Sequence, residues 1–250
     1  MPLLLTKLIL MPLVMALVTL AGRRWGNKVG GVIASMPWIA GPILLFFILE
    51  QGKDFGIRAV PGILTGVLSL VGFCLSYAWL SRRFRWWLTL PIAYVVYVLV
   101  AQVFTHIHLN LLVVYGLILV CVALALWGFP VPTNQSVPPR QLPYDLIIRM
   151  VVATLFMLTI TALASLLGPT WSGILTPFPI ITSILAVFSH VGQSSNGAIV
   201  SLRGIVTGLF GFTTFLFLQA FFLREFSVAL SFGLALCINA VINLVAVRVW

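Results

Sequence analysis

Few side chains in this sequence could do chemistry, and they stand in pairs. Four acids are present, Glu50, Asp54, Asp145 and Glu225, most of them at the ends of apolar stretches, and no two fall within one span to share acid and base work. Glu50 and Gln51 close one strongly apolar stretch, and His190 and Gln193 close another. A histidine and a half-buried carboxylate are suited to taking up and releasing protons near neutral pH. These four residues are therefore candidates for gating or proton coupling. Hydroxyls gather around two prolines, Ser35 near Pro37 and Thr176, Thr182 and Ser183 near Pro179. Trp38 and Gly41 stand beside the first proline. Arg58 and Arg203 have guanidinium forks that select carboxylate or phosphate if they face a cavity, and that snorkel to headgroups if they do not.

Enzyme chemistry has little to build on. There is no H-E-x-x-H, no G-x-S-x-G and no phosphate loop. His106 and His108 have no neighbouring carboxylate or cysteine to complete a metal shell. Cys74, Cys121 and Cys237 fall inside apolar stretches at spacings that suit neither a metal site nor a disulfide framework. No catalytic residue, metal or cofactor is expected.

The elements that must position the candidate residues are membrane helices. The chain is 62% hydrophobic and 7% charged, with a mean hydropathy of +1.18, against roughly 25% charged residues in an average soluble domain. Windows of about 20 apolar residues predict an all-α polytopic protein of about nine transmembrane helices. These cover 3–21, 30–49, 57–80, 87–105, 109–128, 145–167, 171–189, 198–222 and 227–248. The first is a retained helix rather than a cleaved signal, since its apolar run is long and Arg23 and Arg24 follow it. The net charge of +10 is spread over short loops, which argues against a nucleic-acid partner. By the positive-inside rule, ten basic residues on one side against four on the other put the N-terminus outside and the C-terminus in the cytoplasm.

One sequence word recurs. GILTG at 62–66 returns as GIVTG at 204–208, and at the same offset of 142 Gly26, Gly31, Pro37, Ile39, Phe46, Gln51 and Phe73 also meet identical residues. Equivalent spans are five apart, and an odd number reverses orientation. An inverted repeat follows: 1–105 with spans 1 to 4, 106–144 with connecting helix 5 and a Pro-rich linker, and 145–250 with spans 6 to 9. The prolines in ASMPWIAGP (34–42) and LTPFPIITS (175–183) should break spans 2 and 7 at matching places, and broken helices at matching places point to a binding site. The residues expected to bind substrate there are Ser35, Pro37, Trp38, Gly41, Thr176, Pro179, Thr182 and Ser183. Thr65 and Thr207, in the repeated words, are expected to reach across to the opened backbone.

In this layout the chain resembles inverted-repeat bacterial secondary transporters, through the repeat and the two proline breaks, over most of its length. The resemblance implies alternating-access transport of a small solute in the bacterial inner membrane, with the bilayer and a small-molecule or lipid substrate as partners and homo-oligomerisation left open. A lipid flippase or scramblase, and a non-catalytic subunit of a membrane complex, are the alternatives.

Overall fold

The computed structural model describes residues 2–107, 110–131 and 144–249, and among these the chain is all helix. In order the helices are α1 (Pro2–Ser35), α2 (Ala40–Gln51), α3 (Lys53–Leu80), α4 (Trp86–Thr105), α5 (Leu111–Trp127), α6 (Asp145–Leu175), α7 (Ile180–Gln193), α8 (Ser195–Glu225) and α9 (Val228–Val249). His108, Trp250 and the Pro-rich linker at 132–143 lie outside the described residues. Five helices, α3, α4, α6, α8 and α9, are long and apolar enough to cross a membrane, and shorter apolar stretches are Leu4–Leu17 within α1, Ala40–Gln51, Leu111–Trp127 and Ile180–Gly192. This is the make-up of a membrane-embedded protein. At about 1.5 Å per residue, α2 and α7 reach only about 20 Å, short of the roughly 30 Å hydrocarbon layer.

The interior belongs to α3 and α8. They pack against each other, α3 also along α4 and α6, and α8 along α1 and α9. Leu64, Val67 and Phe73 of α3 share one core with Ile205, Leu209 and Phe215 of α8. A second core joins α1, α2 and α6 through Met11, Met15, Phe46, Phe47 and Met157. The outer helices turn apolar side chains outward, among them Val98 and Leu99 on α4, Leu124 on α5 and Leu244 on α9, each more than half exposed, as lipid-facing surfaces require.

Two boundaries differ from the expected spans. The loop expected between 21 and 30 has helical backbone that belongs to α1, but α1 is not one straight rod. About 33 Å of rise would part Val14 from Met36 in such a rod, yet both line one pocket and Lys7 meets Glu50, so the chain doubles back between Val14 and Met36. In the other half the expected boundary survives as a break inside α6, where Gly168 has φ 70° and ψ 172° and Pro169 restarts the helix. Glycine adopts that conformation freely, and proline suits a first helical turn.

The chain also reverses abruptly at Gly52 (φ 93°, ψ 162°) between α2 and α3, and at Ser194 (φ 79°, ψ 179°) between α7 and α8. This region is essentially reserved for glycine and costs other residues about 1 to 3 kcal/mol. The variant S194G is therefore expected to gain about 1 kcal/mol, raising the melting temperature by about 3 °C in a thermal-shift measurement. No gain would mean that Ser194 is unstrained.

Candidate functional site

Both expected helix breaks are present, and they are built alike. α1 stops at Ser35 and α2 starts at Ala40, while α6 stops at Leu175 and α7 starts at Ile180. At the first break Met36 N donates to Ile33 O (3.1 Å), Trp38 N to Met36 O (2.7 Å) and Gly41 N to Pro37 O (2.9 Å). At the second, Phe178 N donates to Leu175 O (3.0 Å), Ile180 N to Phe178 O (2.7 Å) and Ser183 N to Pro179 O (2.8 Å). Every donor and acceptor in the second set stands 142 positions after its mate. Pro179, with φ −76° and ψ 53°, sits at the centre of an inverse γ-turn. Lacking an N–H, proline cannot continue the ladder, so each turn reopens a helix that no surrounding sequence would have stopped.

Side chains add hydrogen bonds to carbonyls at the breaks. Tyr97 on α4 donates its buried hydroxyl to Ile174 O (2.7 Å). Trp38 donates Nε1 to Ile33 O (2.7 Å), and so fastens the end of α1 while one side of its ring lines a pocket described below. Such partners are what interrupted backbone at membrane depth requires.

The two breaks face one cleft of about 50 Å³, lined on the first side by Met36 and Ile39 and on the second by Thr176, Pro177, Phe178 and Thr182. Its polar side chains are hydroxyls, and among the described residues no charged group lines it. Thr176 also donates to Ser172 O (2.8 Å). Ser183 bonds the Pro179 carbonyl and accepts a hydrogen bond from Tyr94 (2.8 Å), whose ring stacks on Phe178 at 5.2 Å. Pro37, Trp38 and Gly41 lie to the side, around a larger apolar pocket. The side chains of Ser35 and Gln193 lie outside the described residues.

The repeated word marks the seam beside the second break. Cβ atoms added at Gly62 and Gly66 on α3 would overlap the Thr170 and Ile174 carbonyl oxygens of α6, and one added at Gly173 would overlap the Ala59 carbonyl. Gly204 and Gly208 are likewise buried in α8, which packs on α1. The threonines behave otherwise than expected. Thr65 donates to Pro61 O (3.2 Å) and Thr207 to Arg203 O (2.9 Å), each four residues back in its own helix. Threonine commonly bonds backward in this way, and it keeps both hydroxyls from reaching the breaks.

The strongest electrostatic contact involves a residue that the sequence reading left among the loop charges. Lys7, 5% exposed in α1, places Nζ 2.6 Å from Glu50 Oε1 on α2 and 2.7 Å from Thr161 Oγ1 on α6, with the Phe46 ring 5.0 Å away. Glu50 is thus held in an ion pair across three helices. At an offset of 142 from Lys7, Arg149 is also buried, with its guanidinium 5.8 Å from the Phe188 ring, the mate of Phe46. Thr19 is the mate of Thr161 and is buried in α1. The mate of Glu50 is Gly192, so the acid is not repeated at that position. The signal for these sets is the offset itself, which matches a lysine with an arginine rather than with an identical residue.

The remaining gating candidates are dispersed. His190 lies half-buried at the end of α7, with Nδ1 3.4 Å from the Tyr77 hydroxyl. Gln51 and Arg58 are exposed and Arg203 is half-buried, and none of the three lines the cleft. Among the described residues no three His, Cys, Asp or Glu side chains gather as metal ligands do. No family model matches the chain, and neither does any curated protein or solved structure.

Proposed function

We propose that the chain is a secondary transporter that moves a small solute by alternating access around the cleft between the two helix breaks. The observation that carries this reading is the pair of breaks, identical in their hydrogen bonds and open to one cleft. Helix bounds support the inverted repeat of four, one and four spans. Lys53 and Ser195 open α3 and α8, and Trp86 and Val228 open α4 and α9, each pair 142 positions apart. On this reading 1–105 and 145–250 are the two repeats, α5 with the following linker inverts the second, and each short helix completes a span that its proline interrupts. The nine spans then put the N-terminus outside and the C-terminus in the cytoplasm, in the bacterial inner membrane.

A cleft without charged side chains suits an uncharged or amphipathic solute better than a small anion, because a carboxylate stripped of water there would meet no cation. The Lys7–Glu50 pair fastens α1, α2 and α6 on one flank, and exchange of sides has to loosen it. Lipid headgroup passage is less well served, since two threonine hydroxyls make a poor path for a phosphate.

Thiol labelling tests the reading without knowledge of the solute. In a background free of the three native cysteines, T182C is expected to react with an impermeant thiol reagent in both right-side-out and inside-out vesicles. Cysteines placed within 23–28 should react only from the cytoplasmic side, and those within 51–56 only from outside. Protection of T182C from both sides, or reaction from one alone, would remove alternating access; the opposite loop pattern would invert the topology.

A further inference from the structure

Beside the cleft lies a larger, almost wholly apolar cavity of about 230 Å³, bounded by Val14 of α1, Met36 and Trp38 at the first break, Gly41 of α2, Phe215 of α8 and Leu236 of α9. Met36 lines both spaces and is the side chain that parts them. The cavity exceeds the roughly 150 Å³ of an engineered apolar cavity known to take up benzene.

The corresponding place in the second half shows what such a space accommodates. At an offset of 142, Val14 becomes Phe156, Met36 becomes Phe178, Gly41 becomes Ser183, and Leu236 stands for Tyr94, with Phe215 matching Phe73. There the rings fill the volume. Tyr94 stacks on Phe178 at 5.2 Å, Phe156 lies 5.9 Å from Phe178, and Phe73 lies 5.4 Å from Tyr94. The Tyr94 hydroxyl ends on Ser183. In the first half three of those four rings are replaced by aliphatic side chains, and the serine by glycine. The walls that remain include the Trp38 indole and the Phe215 and Phe232 rings, the last two edge-to-face at 5.8 Å. Aromatic walls favour a ring in offset or edge contact.

We propose that this cavity binds the aromatic ring of the transported solute, whose polar end then lies past Met36 against the Thr176 and Thr182 hydroxyls of the cleft. The solute class is a compact amphipathic molecule, one ring with a small polar group. The assignment of the bound molecule as the transported one rests on the function proposed above; the ring site itself rests on geometry.

The probe is 4-bromotoluene, whose bromine quenches indole fluorescence on contact. The protein is the full chain with Trp38 as its only tryptophan, the other seven replaced by phenylalanine. Quenching should saturate. The variant M36F/L236Y, which rebuilds the ring pair of the second half, should weaken the saturable part at least tenfold, and V14F should weaken it too if the double variant does not fold. Quenching that rises linearly without saturation, or that saturates equally in a folded, ring-filled variant, would overturn the ring site. So would saturating quenching of Trp38 by phospholipids brominated in mid-chain that excludes 4-bromotoluene, since the cavity would then house an acyl chain. Saturable binding together with T182C protected from both sides would keep the ring site and remove transport; two-sided labelling without saturable binding would do the reverse.

Discussion

Alanine at Gly62 is expected to cost about 3 kcal/mol, the upper part of the range for overpacked interiors, and leucine there should prevent recovery of folded protein. The added Cβ would overlap the Thr170 carbonyl oxygen and stand 3.3 Å from Ile174 N. Both are backbone atoms, so no rotamer change relieves the overlap and α3 must move off α6. Because Gly173 presses on Ala59 and Ile63 from the opposite side, the shift would propagate along the whole seam. Gly116 in α5 and Gly233 in α9 provide the controls, since a Cβ there meets nothing within 4 Å. Alanine at either should be neutral or stabilising by up to about 1 kcal/mol, the propensity gain in a helix interior. Thermal unfolding of the three single variants in detergent separates these outcomes. If G62A melts with G116A and G233A, the close approach of α3 and α6 is not what the repeated glycines provide.

This seam shows how far the sequence could be read and where it stopped. GILTG identified a helix face that meets a neighbouring backbone closely, because glycine spacing on a helix face records close approach directly. The prolines likewise located both breaks to within a residue or two, since the missing N–H is a local property. What the word could not disclose was where its threonines point. A hydroxyl four residues after an accessible carbonyl has a partner in its own helix, and that contact outcompetes one across the bundle.

The apolar cavity was out of reach for another reason. Its existence depends on three rings in one half having aliphatic mates in the other, and the offset reveals this only once Tyr94, Phe156 and Phe178 are known to meet. Trp38 was legible as a mid-span aromatic beside a proline. Its double role, donating to the end of α1 through Nε1 and walling the cavity with its ring, follows from the turn at Pro37, which no propensity rule supplies.

Loss of the Glu50 charge is expected to destabilise the fold by about 3 kcal/mol, because it strands the buried Lys7 ammonium without a counter-charge. In E50Q the Lys7 ammonium would keep Thr161 and the Phe46 ring as neighbours, and neither neutralises it. A fall in melting temperature on the order of 10 °C follows for a chain of this size. K7M should cost less, since the Glu50 side chain is 24% exposed and its carboxylate can regain water, whereas the Lys7 side chain is 6% exposed. The double variant K7M/E50M removes both charges and should recover most of the stability, because apolar replacement of a buried ion pair is commonly neutral or better. A double-mutant cycle reads the coupling directly. If the double variant is as unstable as E50Q, the pair does not hold α1, α2 and α6 together, and Glu50 matters through some other contact. The same variants address exchange of sides. A tie that must loosen for the cleft to change sides slows that change, so K7M/E50M combined with T182C should label faster than T182C alone. Equal rates in a stably folded double variant would make the pair a structural tie with no part in gating.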